Sequence, residues 1–316
     1  MQAPTLTDVL AARRRIRPHL APTPLRRYPA LDRITGTETW VKHENHLPTG
    51  AFKVRGGVNL VSQLDAATRA RGLIAASTGN HGQSVAYAAR LFGVSAIICA
   101  PARANPVKVT AMEDLGAEVI LTGNDFDDAR EHCEALAREH GYRYVHSGNE
   151  PDLIAGVGTH TFELLEEQPE IDVLVVPVGG GSGAAGACIV AKALNPKTRV
   201  VGVQSAQAPA AHDAWKARRL VERENRTIAE GLATRTTFEL PQQILWDLLD
   251  DFVLVDDDEL RVATRLMIES TRTLVEAAGA APLAAARRLN LEGKRLALIC
   301  SGGNISPAQL GELFST

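Results

Sequence analysis

Short runs rich in Val, Ile, Leu and Ala recur along the chain, separated by stretches whose apolar residues return every three or four positions. The runs at 39–42, 72–76, 96–100, 118–121, 143–146, 173–178, 199–204, 252–255 and 295–300 predict β-strands. Several are apolar throughout, as expected where helices cover both faces of a parallel sheet. Between them, 82–91, 107–115, 126–140, 182–194 and 258–278 carry helical spacing or high helix propensity. The alternation predicts an α/β protein built on open, twisted, mostly parallel sheets. Glycines punctuate the strand-to-helix junctions, the edge where such sheets bind ligands.

No repeat, low-complexity tract or Pro/Ser-rich linker divides the chain, so two lobes are expected to interleave. The division expected is a large cofactor-binding lobe, 1–65 plus 146–316, and a small substrate-side lobe, 66–145. A formal charge of −3 gives no positive field to recruit nucleic acid or an anionic membrane, and points to small-molecule chemistry. No run approaches the ~20 apolar residues of a membrane span, and the N-terminus lacks a signal-peptide pattern; a cytosolic protein is expected. Cys99, Cys133, Cys188 and Cys300 show no metal-type spacing and read as reduced, three of them in apolar stretches.

The run 173–178 leads directly into Gly179-Gly180-Gly181-Ser182-Gly183-Ala184-Ala185-Gly186 and then a helical pattern. Glycines let the backbone turn tightly and aim successive N–H groups at an anion, and the following helix adds the positive end of its dipole. Gly181, Gly183 and Gly186 also form a literal G-x-G-x-x-G. A nicotinamide dinucleotide would want an acidic residue at the end of the next strand, where Gln204 stands, so a monophosphate cofactor is the better reading. A second loop, Ser77-Thr78-Gly79-Asn80-His81-Gly82-Gln83, gathers hydroxyls, an amide and helix N–H groups suited to a carboxylate. Plain N-capping is its bland alternative, and His81 reads more readily as structural than as catalytic.

Lys53 stands in Thr49-Gly50-Ala51-Phe52-Lys53-Val54-Arg55-Gly56-Gly57. A lone lysine is usually a solvated surface residue, but one at the edge of a helix and partly desolvated can deliver a neutral amine to a carbonyl and form a Schiff base. A third loop, Ser301-Gly302-Gly303-Asn304, ends the run 295–300 and places a hydroxyl where a buried ring nitrogen could meet it.

These four motifs, in this order over nearly the whole chain, resemble the fold type II (tryptophan synthase β-like) pyridoxal-phosphate enzymes, and within them the serine/threonine dehydratase and serine racemase family. The resemblance implies that Lys53 forms the Schiff base with pyridoxal 5'-phosphate and later acts as base at the substrate α-carbon. It implies that Phe52 packs against the pyridine ring and Asn80 hydrogen-bonds the ring 3-hydroxyl. It assigns the phosphate to the amides of Gly179, Gly180, Gly181, Ser182 and Gly183, and the pyridine nitrogen to Ser301. Ser77, Thr78, Gly79 and His81 would line the substrate carboxylate, and Glu276 resembles a family glutamate near the ring.

A neutral hydroxyl at Ser301 would leave the ring a weaker electron sink than a carboxylate would, favouring elimination over transamination. The expected reaction converts an L-β-hydroxy amino acid to a 2-oxo acid and ammonia. L-threonine or L-serine leads, with 3-hydroxyaspartate, phenylserine or a hydroxyectoine-derived compound as alternatives. Thr78 stands where the racemase has a serine acid/base, so amino-acid racemisation is the second reading; a binding module without catalysis is the third, and Lys53 argues against it. Ala51 replaces a common serine at little consequence. The racemase's cation ligands correspond to Gln204 and Ala210, so no metal is expected there. The chain is expected to be of the stand-alone type, lacking a regulatory domain, and the family implies a homodimer or homotetramer.

Overall fold

The computed structural model describes residues 1–315. Its strands are β1 (Leu25–Arg27), β2 (Glu38–His43), β3 (Leu73–Ala76), β4 (Ala96–Ala100), β5 (Glu118–Leu121), β6 (Arg143–Tyr144), β7 (Val173–Pro177), β8 (Arg199–Ser205), β9 (Asp251–Val255) and β10 (Arg295–Cys300). They form a six-stranded sheet in the order β1-β2-β10-β7-β8-β9 and a four-stranded sheet in the order β5-β4-β3-β6. Every pairing is parallel except that of β1 with β2. The chain builds two strands of the large sheet, then the whole small sheet, and then returns to complete the large one.

Burial on both faces explains the unbroken apolar runs. Along β10, Ala297 and Ile299 join the cluster that holds Leu174 and Val176 of β7, while Leu296, Leu298 and Cys300 join Val173 and Val175 in a second cluster. Successive side chains of a strand point to opposite faces, so two cores require apolar residues at every position. The helix Ser182–Leu194, packed on the helix Pro151–Glu167, covers the first face; Ala277–Ala286 covers the second. All four cysteines are buried and unpaired.

The expected helix over 258–278 is instead two helices, Asp257–Thr271 and Ala277–Ala286. Arg272 takes a left-handed conformation (φ 58°) and closes the first by donating its N–H to the Ile268 carbonyl. The extended backbone at Glu276 then starts the second, its N–H on the Gly302 carbonyl at 3.1 Å. This break lets Glu276 face the ligand-binding edge. Of the run 143–146, Arg143 and Tyr144 pair with β3, and the Val145 N–H still reaches the Ile74 carbonyl at 2.8 Å. Sequence patterning gave no expectation for the helices Leu6–Ile16 and Pro151–Glu167.

Candidate active site

Lys53 is the first residue of the helix Lys53–Ser62, preceded by a loop pinned to the end of β10. The Phe52 N–H donates to the Ser301 carbonyl at 2.9 Å, and Ala51 bridges Gly302. Ser84, on the helix Asn80–Leu91, donates to the Lys53 carbonyl at 2.7 Å. The lysine backbone is thus tied both to the loop after β10 and to the helix Asn80–Leu91 before its side chain is considered. The Lys53 amine donates to the Ser147 carbonyl at 2.9 Å and to Ser182 Oγ at 3.0 Å. Its remaining accessible surface faces the cavity, and burial pulls its pKa from 10.5 down to about 8.

Beyond β7 the glycine loop enters the helix Ser182–Leu194 with Gly181 in the left-handed region (φ 88°), a conformation that favours glycine. Space constrains its neighbours. A Cβ on Gly179 would lie 2.2 Å from the Gly231 carbonyl oxygen, and one on Gly180 2.4 Å from the Phe238 ring. The loop is therefore bare backbone at the N-terminus of a 13-residue helix, a donor set that fits a phosphate. Phe52 packs on the same loop, its ring 3.0 Å from where a Cβ on Gly183 would stand.

The second loop divides its work. Ser77 Oγ accepts from the N–H groups of Gly79 (3.1 Å) and Gly82 (2.8 Å), so its oxygen caps the turn. Thr78 lies half-buried on the cavity wall. His81 donates Nε2–H to the Val145 carbonyl at 3.0 Å, leaving Nδ1 an acceptor with no partner among the described residues. Burial, aided by Lys53, lowers its pKa to about 3, so its ring is neutral. Asn80 donates to Glu276 Oε1 at 2.8 Å; burial raises the Glu276 pKa. Ser301, buried at the end of β10, faces the same space.

One cavity of about 1210 Å³ collects Phe52, Lys53, Ser77, Thr78, Gly79, Asn80, His81, Gly179, Gly180, Gly181, Ser182, Gly183, Glu276 and Ser301. Gln204 Oε1 accepts the His212 backbone N–H at 3.0 Å, and Ala210 begins a helix. Sequence reasoning missed Ser147 and the pair of buried Lys108 with half-buried Glu230 (2.6 Å), which lies beside Gly79. No local signal marks either.

A desolvated amine beside a bare-backbone anion cradle, on interleaved parallel sheets, defines the class: an enzyme that holds a phosphorylated aldehyde cofactor through a lysine. A family model described as pyridoxal-phosphate dependent enzyme matches residues 16–302, and the chain belongs to that family, with the fold type II architecture. An L-threonine ammonia-lyase of Thermotoga maritima is 38% identical over 98% of this chain and 78% of its own. A maize serine racemase structure superposes with a TM-score of 0.94 at 30% identity, covering 98% of this chain and 97% of that one. A T.th. threonine deaminase structure gives 0.90 at 37% identity, covering 96% and 99%. Among the described residues, no helix is long and apolar enough to cross a membrane.

Proposed function

We propose that this chain is a threonine/serine ammonia-lyase, converting an L-β-hydroxy amino acid, L-threonine first, to the 2-oxo acid and ammonia. The observation that carries the proposal is the pairing in one cavity of the desolvated Lys53 amine with a neutral serine hydroxyl, Ser301, at the end of β10. The threonine ammonia-lyase and threonine deaminase relatives support it. When bound, pyridoxal phosphate supplies the sink for the electron pair left at the substrate α-carbon.

This chain's residues do the rest. The amides of Gly179, Gly180, Gly181, Ser182 and Gly183 hold the phosphate, and Phe52 packs on the ring. Asn80 and Ser301 meet its polar edge. Helped by the N-terminus of the helix Asn80–Leu91, the N–H groups of Thr78, Asn80 and His81 take the substrate carboxylate, those of Ser77 and Gly79 being used within the fold. Ser182 and the Ser147 carbonyl hold the Lys53 amine in place to take the α-proton, and burial, by lowering its pKa to about 8, raises the neutral fraction near physiological pH. Loss of the β-hydroxyl as water, followed by uptake of water at the amine-bearing carbon, releases ammonia and balances the reaction.

Racemisation remains the second reading, because Thr78 lines the cavity and the maize relative is a racemase. A β-branched Thr is stiffer at χ1 than Ser, which favours elimination. A cytosolic homodimer or homotetramer belongs to the same proposal, and sedimentation of the purified protein tests the assembly. For the chemistry, the near-visible spectrum is recorded before and after L-threonine or L-serine, with 2-oxo acid and D-amino acid assayed together. A cofactor band that changes as 2-oxo acid accumulates is expected. A Lys53→Ala protein with undiminished turnover refutes the proposal, and D-amino acid without 2-oxo acid replaces it with the racemase.

A further inference from the structure

Asn304 lies in the loop that follows β10, and its side chain reaches two other loops. Its Nδ2 donates to the Thr49 carbonyl at 2.9 Å and to Asn80 Oδ1 at 2.7 Å. A primary amide has two N–H donors, so both are engaged. The contact with Thr49 fixes which end of the amide points where, because a backbone carbonyl only accepts. Asn80 must then turn its oxygen toward Asn304. Its own Nδ2 gives one hydrogen to Glu276 Oε1 at 2.8 Å, and the second is left for the cavity that Asn80 lines.

The same loop is locked sterically. Asn304 Oδ1 lies 2.6 Å from where a Cβ on Gly50 would stand, and Gly50 has φ +65°. Gly303 closes the lock by donating its N–H to the Gly50 carbonyl at 2.9 Å. Asn304 thereby holds the approach to Lys53 and the Ser77–His81 turn in one register, although Thr49 is 255 residues away and Asn80 224.

We propose that Asn304 is a positioning residue that sets the polarity of Asn80, so that Asn80 presents an N–H rather than a carbonyl to the bound cofactor. This rests on the reading of the cavity as a pyridoxal-phosphate site. A near-isosteric Asn304→Asp change removes both donors and sets a carboxylate against two acceptors. Glu276 alone then holds Asn80 in this orientation, while a carboxylate at position 304 draws the Asn80 N–H groups the other way.

The test titrates pyridoxal phosphate into cofactor-free protein, reading dissociation constant and near-visible absorption maximum, with thermal unfolding of the cofactor-free protein in parallel. Asn304→Asp is expected to weaken cofactor binding about tenfold or more and to move the absorption maximum, with the cofactor-free unfolding temperature little changed. Asn80→Ala with Asn304→Asp should bind the cofactor no worse than Asn80→Ala alone, since the proposed effect of Asn304 on the cofactor runs through Asn80. If Asn304→Asp does not fold, Asn304→Ala, which removes the donors without adding charge, carries the same test. Wild-type affinity and absorption in the variant, or fully additive losses in the double variant, overturn the proposal. Wild-type protein that takes up no pyridoxal phosphate overturns the cofactor reading itself.

Discussion

Titrating the cofactor-free protein tests whether Lys53 is a desolvated anchor. Burial carries its pKa from 10.5 to about 8. At pH 7 roughly one amine in ten is then neutral, against about one in three thousand for a solvated lysine, a ~300-fold gain in the reactive form. The sign is fixed by chemistry: only the neutral amine attacks a carbonyl, so attachment accelerates with pH and levels off once pH passes about 8. The histidines on either side do not confuse the profile, because burial holds His81 at about 3 and His146 at about 4. The assay mixes cofactor-free protein with pyridoxal phosphate and follows the near-visible band, subtracting Lys53→Ala for slow reaction at surface lysines. A rate that keeps rising tenfold per pH unit beyond about pH 9 refutes the desolvation argument.

The chemistry was legible in the sequence because each part of it needs particular residue types close together. Bare backbone for an anion demands the 179–183 glycines, and a lysine beside such a loop is hard to explain otherwise. What was illegible depends on contacts between distant segments. Lys108 sits in an ordinary-looking stretch at 107–115; its burial and its pairing with Glu230, 122 residues away, arise only in the folded chain. Asn304 was visible as part of a motif, but its grip on Thr49 and Asn80 depends on loops far away in the chain. The helix Pro151–Glu167 escaped the periodic pattern because it is buried on most sides, with Gly156 and Gly158 against neighbouring backbone. Residues 258–278 misled in the opposite way: helix propensity continues through Arg272, and tertiary contacts decide the break.

Gly180→Ala should weaken cofactor retention on dialysis severalfold and cost about 1–3 kcal/mol, because its Cβ would strike the Phe238 ring. Gly311→Ala, with nothing within 4 Å of the new atom, should leave retention unchanged and serves as its control. Arg55→Met should be far more damaging in urea unfolding. The guanidinium donates to Glu44 at 2.6 and 2.9 Å and to Glu163 at 2.7 and 2.8 Å, all in the interior beside the Lys53 helix. Removing one partner of such a buried cluster costs about 3–5 kcal/mol, since the charges left behind stay desolvated. The pH dependence separates this from lost packing. Burial alone would raise the Glu44 carboxyl, but Arg55 outweighs it and holds the pKa at about 2, against 4.5 unfolded. The wild-type contribution is therefore complete above about pH 4.5 and disappears as pH falls through about 2. In Arg55→Met burial is left with its main opponent gone, and the folded pKa of Glu44 moves above the unfolded one. Stability of the variant should then decline as pH rises through the acid range, where that of the wild type climbs. Parallel pH profiles for the two proteins would show that Arg55 contributes packing rather than charge.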